Sequence, residues 1–306
     1  MADQVFHPDL RAARFLPRGL VGPRQLGLIR SAMKLSGRRP PEGAVPVAIT
    51  PEVGVDVYGR SAAGKTGRRP ALLWIHGGGM VIGNARQDSA FCARVARELD
   101  VIVASVEYRL APDHPYPAPL EDCYTALSWL ASQPDVDTDR IAIGGASAGG
   151  GLTAGLALLA RDRAEIRPTF QLLVYPMLDD RTTVRTDVDE SRLRVWSPAN
   201  NRFGWQSYLG PHLTPGQPDG VPHPAAPARA EDLTGLPPAW IGVGTNDLFH
   251  DEDLDYAARL QKAGVPCELH VVPGAYHGFD NFHGRTGVGR DFTRRKIDAL
   301  TRAFGR

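Results

Sequence analysis

No stretch of this 306-residue chain is apolar for long enough to cross a bilayer: the longest such runs, at 71–75 and 101–106, are strand-sized. Cysteine is scarce. Cys92, Cys123 and Cys267 make an odd count with no metal-ligand spacing, which argues against a disulfide framework or a cysteine zinc site. Each sits among apolar neighbours and reads as a small core residue, in keeping with a reducing cytoplasm. A dominant charge is also lacking. Lys plus Arg total 35 against 34 Asp plus Glu, so no global basic field exists to hold nucleic acid. Residues 1–40 do lean basic, through Arg11, Arg14, Arg18, Arg24, Arg30, Lys34, Arg38 and Arg39, and read as a solvated face or tail. The opening Met-Ala-Asp-Gln, with Asp9 soon after, has no apolar run of the secretory kind, so a cytoplasmic protein is expected. No internal repeat is visible.

What is present is a rhythm of short β-branched runs and longer helical patterns. Candidate strands are Val53–Tyr58, Ala71–Ile75, Val101–Val106, Ile141–Gly144, Gln171–Tyr175, Ala239–Gly242 and Glu268–Val272. Helical patterns occupy Ser89–Leu99, Leu120–Gln133, Gly149–Arg161, Asp253–Ala263 and Arg290–Phe304, with another around Arg24–Leu35. The middle strands are apolar without alternation, as a parallel sheet buried on both faces requires. The expected fold class is therefore α/β: a central, mostly parallel sheet flanked by helices. Residues 1–45 precede the first strand, and 180–238 are rich in Pro, Asp, Arg and aromatics. A stretch so long without strand signal reads as a lid, an insertion or a linker.

The sharpest motif is Gly145-Ala146-Ser147-Ala148-Gly149, which closes one predicted strand and opens a helix. A sharp strand-to-helix turn strains the serine backbone and pushes its oxygen above the sheet, while small neighbours let strand and helix approach. The turn also sets the Ala148 N–H and the helix N-terminus beside the reacting centre. A second motif, His76-Gly77-Gly78-Gly79, follows the Ala71–Ile75 strand and offers backbone amides that side chains would otherwise obstruct. A serine hydroxyl needs a base, and the base needs an orienting carboxylate. Asp247 and His277 each stand just beyond a predicted strand, at the strand ends where open α/β sheets hold their ligands. Their chain order, serine then acid then histidine, suits this topology.

Other patterns lack their structural context. Gly59–Thr66 satisfies a phosphate-loop spacing but leads into Gly67-Arg68-Arg69-Pro70 and a strand, where a helix would be needed. Asp135, Asp137 and Asp139 imitate a calcium loop but have Arg140 where glycine belongs. His250, Asp251, Glu252, Asp253 and Asp255 read as an acidic first helical turn, so no metal is expected. Glu107, Arg109, Glu121 and Asp122 read as one partly buried salt-bridge network.

The chain resembles the hormone-sensitive-lipase-like family of α/β-hydrolases, the bacterial carboxylesterases and lipases of that fold. The resemblance is carried by His76–Gly79, by Tyr108-Arg109-Leu110-Ala111-Pro112 with Pro115 and Pro117, and by Leu120-Glu121-Asp122. It continues through Gly145–Gly150, Tyr175-Pro176, Asp247-Leu248 with Asp251-Glu252, and His277-Gly278-Phe279, and so spans about residues 45–300. It implies an α/β-hydrolase fold with a helical cap: 1–45 an N-terminal cap segment, 46–179 the first part of the core, 180–215 a cap insertion, and 216–306 the rest of the core. It implies Ser147, Asp247 and His277 as the catalytic triad, with oxyanion-hole donors at Gly78, Gly79 and Ala148. Asp251 and Glu252 would give supporting hydrogen bonds near the acid loop.

The implied activity is hydrolysis of short- to medium-chain acyl esters through an acyl-enzyme, on a small-molecule ester, with no cofactor. The oligomeric state is left open by the sequence, with a homodimer one of the alternatives, since members of the family often dimerise through a sheet edge or a helix. Ala146 departs from the Asp or Thr common before the nucleophile. Trp196, Phe203, Trp205 and Tyr208 either line the substrate pocket or pack the cap on the core. An amide, carbamate or lactone would use the same triad, and a non-catalytic ligand receptor on the same scaffold is the other reading.

Overall fold

The computed structural model describes residues 5–36, 40–59, 67–211, 213–217 and 219–305. In chain order its main elements begin with helix α1 (Leu26–Ser36) and strands β1 (Val45–Ala48), β2 (Gly54–Tyr58) and β3 (Arg69–Ile75). Then come α2 (Ser89–Leu99), β4 (Ile102–Glu107), α3 (Ala118–Ala131), β5 (Val136–Ala146), α4 (Ala148–Arg163) and β6 (Phe170–Val174). After a helix α5 (Pro198–Leu209) follow β7 (Ala239–Asn246), α6 (His250–Lys262), β8 (Cys267–Tyr276), α7 (Phe279–Phe282) and α8 (Gly287–Ala303).

The strands form one sheet in the order β1-β2-β4-β3-β5-β6-β7-β8. β1 and β2 pair antiparallel, and the remaining strands run parallel from β4 to β8. Parallel neighbours are joined by helices that fall on both faces, so the sheet is buried on both sides. Along β3, Ala71, Leu73 and Ile75 point into one core, with residues of α3, α4 and α6. Leu72 and Trp74 point into the other, with α2 and α8. Alternate side chains reaching opposite faces is what a strand dictates, and apolarity on both parities gives each face its own core. Each fully buried Leu or Ile in these cores contributes about 1.5–3 kcal/mol of transfer free energy.

The predicted α/β class and the mostly parallel sheet are what the chain adopts. The structure adds β1, α5 and the four-residue α7 to the predicted strands and helices. β1 is a four-residue edge strand containing Pro46, short and unable to donate at one position, which hides it from a periodicity reading. Helix α5 lies inside the long stretch read as irregular. Its start is marked by Ser197, whose hydroxyl accepts the Asn200 N–H at 3.3 Å, and by Pro198 in the first turn. Because α5 is buried on several sides, it carries no single apolar stripe to betray it.

The segment 5–25 and the insertion between β6 and β7 are tied together over the rim of the sheet. Arg194 Nε donates to the Ala13 carbonyl at 2.9 Å, and the Val195 N–H to that of Pro17 at 2.9 Å. Asn200 Nδ2 donates to the Val21 carbonyl. Among the described residues no helix is long and apolar enough to cross a membrane. Residues 60–66 of the phosphate-loop look-alike lie outside the described residues.

Candidate active site

Ser147 is the single residue between β5 and α4, with φ 58° and ψ −122°. Such a backbone costs a non-glycine residue about 1–3 kcal/mol and persists only where its surroundings enforce it. Here its N–H donates to the Val174 carbonyl at 2.9 Å, and its carbonyl accepts from Gly151 and Met177, each at 3.0 Å. Gly145 and Gly149 make the turn feasible. A Cβ at Gly145 would run into the carbonyls of Gly149 and Ile75, and one at Gly149 into those of Ile75 and His76. The G-x-S-x-G spacing is thus a packing requirement: helix, central strand and the neighbouring loop approach closer than side chains allow.

Asp247 directly follows β7 and His277 directly follows β8, so both stand at the same rim as Ser147. His277 Nε2 is 2.8 Å from Ser147 Oγ, and its Nδ1 is 2.8 Å from Asp247 Oδ2. A carboxylate only accepts, so the imidazole carries its proton on Nδ1 and leaves Nε2 to accept from the serine hydroxyl. The other Asp247 oxygen accepts the Phe249 N–H at 3.0 Å, which fixes the carboxylate in the plane it needs. The imidazole is walled by Tyr175 and Phe249, edge-on with centroids at 5.0 and 5.1 Å, and by Trp196 at 6.3 Å. These rings leave the imidazole buried.

The His76–Gly79 loop faces this group. Gly78 and Gly79 have φ of 116° and 62°, and the Gly78 carbonyl accepts from Val81 and Ile82 at 3.1 and 3.0 Å. His76 is the loop's anchor. It is fully buried, with Nδ1 2.8 Å from the Gly77 carbonyl oxygen and its ring stacked on Tyr108 at 4.2 Å. Burial pushes its pKa down to about 4, so the imidazole is neutral at physiological pH. Ala148 opens α4, where its N–H has no intrahelical partner and the helix dipole favours negative charge.

Ser147, His277, Gly77 and Gly78 open onto a cavity of about 630 Å³. Of the four aromatics proposed from sequence, Trp196 lines it and Phe203, Trp205 and Tyr208 do not. Trp205 and Tyr208 are wholly buried in the core, Tyr208 edge-on to Tyr116 at 5.9 Å, and Phe203 packs on the same cluster, because α5 turns its bulk inward. The walls the sequence did not indicate are Leu20 and Val21 from the N-terminal segment, Phe91 on α2, Val195, and Phe282 on α7. One end of the cavity is ionic. Lys296 Nζ donates to Asp280 Oδ2 at 2.6 Å, the Tyr175 hydroxyl donates to Asp280 Oδ1 at 2.8 Å, and Asp88 accepts from Trp74 Nε1 at 2.9 Å. Nothing in the sequence marks Asp280 and Lys296 as a pair, since they stand on different elements sixteen residues apart.

The acidic turn of α6 divides by burial. Glu252 is buried and accepts from the Leu178 and Asp179 N–H groups at 2.7 and 3.2 Å and from the Thr182 hydroxyl. It braces the chain that leaves β6. Asp251 is exposed and pairs with Arg185 at 2.8 Å. The salt-bridge network expected of Glu107, Arg109, Glu121 and Asp122 is three separate contacts. Arg109 clasps Asp122 with 2.6 Å at its shortest, Glu121 pairs with Arg163, and Glu107 accepts the Ala85 N–H. Successive residues on a strand or helix point in different directions, which separates them.

A family model described as the alpha/beta hydrolase fold matches residues 72–281. Esterase LipI of Mycobacterium tuberculosis is 36% identical over 254 residues, spanning 81% of this chain and 77% of that protein. Carboxylesterase NlhH of the same organism is 36% identical over 241 residues, 77% of this chain and 74% of its own. Among solved structures, a bacterial heroin esterase shares 37% identity over 98% of both chains with a TM-score of 0.87. Esterase LipW from Mycobacterium marinum shares 34% identity over 99% of this chain and 98% of its own, with a TM-score of 0.84.

Proposed function

The chain belongs to the α/β hydrolase fold family and is a carboxylic ester hydrolase, and we propose that it works through a Ser147–His277–Asp247 triad and an acyl-enzyme. The observation that carries this reading is the unbroken pair of 2.8 Å contacts from Ser147 Oγ through the imidazole to Asp247. His277 Nε2 takes the hydroxyl proton as Oγ attacks the acyl carbon, and Asp247 stabilises the imidazolium that forms. The carbonyl oxygen becomes an oxyanion held by the N–H groups of Gly78, Gly79 and Ala148. The C–O bond to the alcohol then breaks, with His277 returning the proton to the leaving oxygen. Water, activated by the same imidazole, releases the acid. Each oxyanion donor is worth on the order of 3 kcal/mol of barrier.

The segment 1–45 and the insertion 180–215 act as the cap. They supply Leu20, Val21, Val195 and Trp196 to a cavity whose size and apolar wall suit short- to medium-chain acyl esters. Cys92, Cys123 and Cys267 are all free thiols, which fits work in a reducing compartment.

A fluorophosphonate probe tests the nucleophile. The wild type is expected to label once, at Ser147, while Ser147→Ala neither labels nor hydrolyses a short p-nitrophenyl ester and melts at the wild-type temperature. His277→Ala is expected to lose both labelling and turnover while still folding. Hydrolysis by Ser147→Ala within about tenfold of wild type would overturn the assignment.

A further inference from the structure

Between Leu10 and Pro41 the sequence carries eight cations and no Asp or Glu, in a chain whose net charge is +1. Arg30 is committed to Asp113 at 2.5 Å. Arg11, Arg14, Arg18 and Arg24 are exposed and form no ion pair among the described residues. Large apolar side chains are exposed with them: Phe15 at 77%, Leu20 at 43% and, across the cavity mouth, Phe282 at 50%. The Arg14 guanidinium lies 4.7 Å from the centre of the Phe15 ring. This piece of chain is held in place, since Asp9 accepts the Val288 N–H at 3.0 Å and Pro17 accepts from Val195.

Exposed apolar side chains are unfavourable in water, and one kind of surface would take them up together with the neighbouring arginines. Apolar groups enter the boundary between headgroups and acyl chains, and the cations meet lipid phosphates. Two of these side chains, Leu20 and Phe282, also line the active-site cavity. A nucleic acid would use the cations but not the aliphatic and phenyl groups, which stand singly and offer no series of rings for base stacking.

We propose that this face docks on an anionic lipid bilayer, with Phe15, Leu20 and Phe282 entering the headgroup region and the arginines on the lipid phosphates, so that the cavity opens onto the membrane. The proposal takes from the assigned function only that the cavity is the active site. Docking is read by binding, so its failure leaves the triad untouched and a failed triad leaves it standing.

Co-sedimentation with vesicles of phosphatidylcholine, with and without phosphatidylglycerol, tests it. The protein is expected to pellet with phosphatidylglycerol vesicles at low salt, at least about tenfold more weakly with phosphatidylcholine alone, and to be released by high salt. Each cation at such a surface is worth about fivefold in partitioning. Arg11→Glu/Arg14→Glu/Arg18→Glu is therefore expected to weaken binding by more than about tenfold, with the melting curve and turnover of a soluble short ester unchanged. Phe15→Ser, which keeps every charge, is expected to weaken it by about threefold or more. Should the triple variant melt early, Arg14→Glu alone gives the same reading. No binding to anionic vesicles, equal binding to neutral ones, binding indifferent to these substitutions, or capture by heparin or RNA without capture by vesicles would each overturn it.

Discussion

The indole of Trp196 fills the space that a side chain at Gly79 would need: a Cβ there would run into the far edge of the ring. The loop proposed to hold the oxyanion and the insertion proposed as the cap are thus in direct contact, and each fixes the other. Gly79→Ala must either move the ring or displace the loop amides, at a φ of 62° that already disfavours it. The expected result is a fall in kcat of about 10²–10³, the effect of one lost oxyanion donor. Gly79→Ala/Trp196→Ala should recover at least about tenfold of that loss, and a double-mutant cycle on steady-state rates measures the coupling.

Asp247→Asn tests the carboxylate. The amide can donate to Nδ1, which favours the tautomer whose proton sits on Nε2 and leaves no base facing Ser147. A fall in kcat of about 10⁴ is expected with KM little changed, and with a melting temperature close to wild type. A loss of less than about tenfold would mean that Asp247 serves only the fold.

His76 should give the enzyme an acid-sensitive fold. Its pKa is about 4 in the folded protein against 6.5 for the ordinary imidazole, so the unfolded chain binds the extra proton between those values. Stability is full above about pH 6.5 and is lost as pH falls toward 4, by on the order of 3 kcal/mol from this group. Urea unfolding at several pH values is the measurement. In His76→Asn the slope through that window should flatten, although the variant starts less stable because the stack on Tyr108 is gone.

The Lys296–Asp280 pair predicts a different kind of defect. Both side chains are buried, and Asp280 also holds the hydroxyl of Tyr175, whose ring meets His277 edge-on. Lys296→Met leaves a buried carboxylate without its counter-ion, a change that typically costs about 3–5 kcal/mol. Denaturant titration should show this loss, and Lys296→Met/Asp280→Asn should recover more than half of it. Recovery in the double variant separates the charge effect from lost packing.

Much of the candidate site was legible because its chemistry imposes local rules. Gly145 and Gly149 bracket Ser147 for steric reasons that any strand-to-helix turn of this kind obeys, Asp247 follows an apolar run that marks a buried strand, and His277 follows the mixed polar and apolar run of an edge strand. The pocket was less legible. The sequence left Trp205 and Tyr208 open between the substrate pocket and cap-to-core packing, because a tryptophan or tyrosine says only that much area will be buried, not against what. Asp280 and Lys296 meet through tertiary packing, and no spacing rule announces a pair joined across a loop and a helix. The same limit hid α5, where burial on several sides erased the one-faced pattern that exposes most helices.

Ser147, Asp247 and His277 hang from β5, β7 and β8, while Leu20, Val21, Val195 and Trp196 come from chain outside the sheet. In the proposed mechanism the attacking groups therefore hang from the sheet, while the cavity wall is shared between the overlying chain and Phe91 and Phe282 of α2 and α7. Changes in the overlying segments are expected to alter which substrates are accepted while leaving the proposed triad geometry in place. The exception is the seam between Gly79 and Trp196, where a change in one piece must be answered in the other.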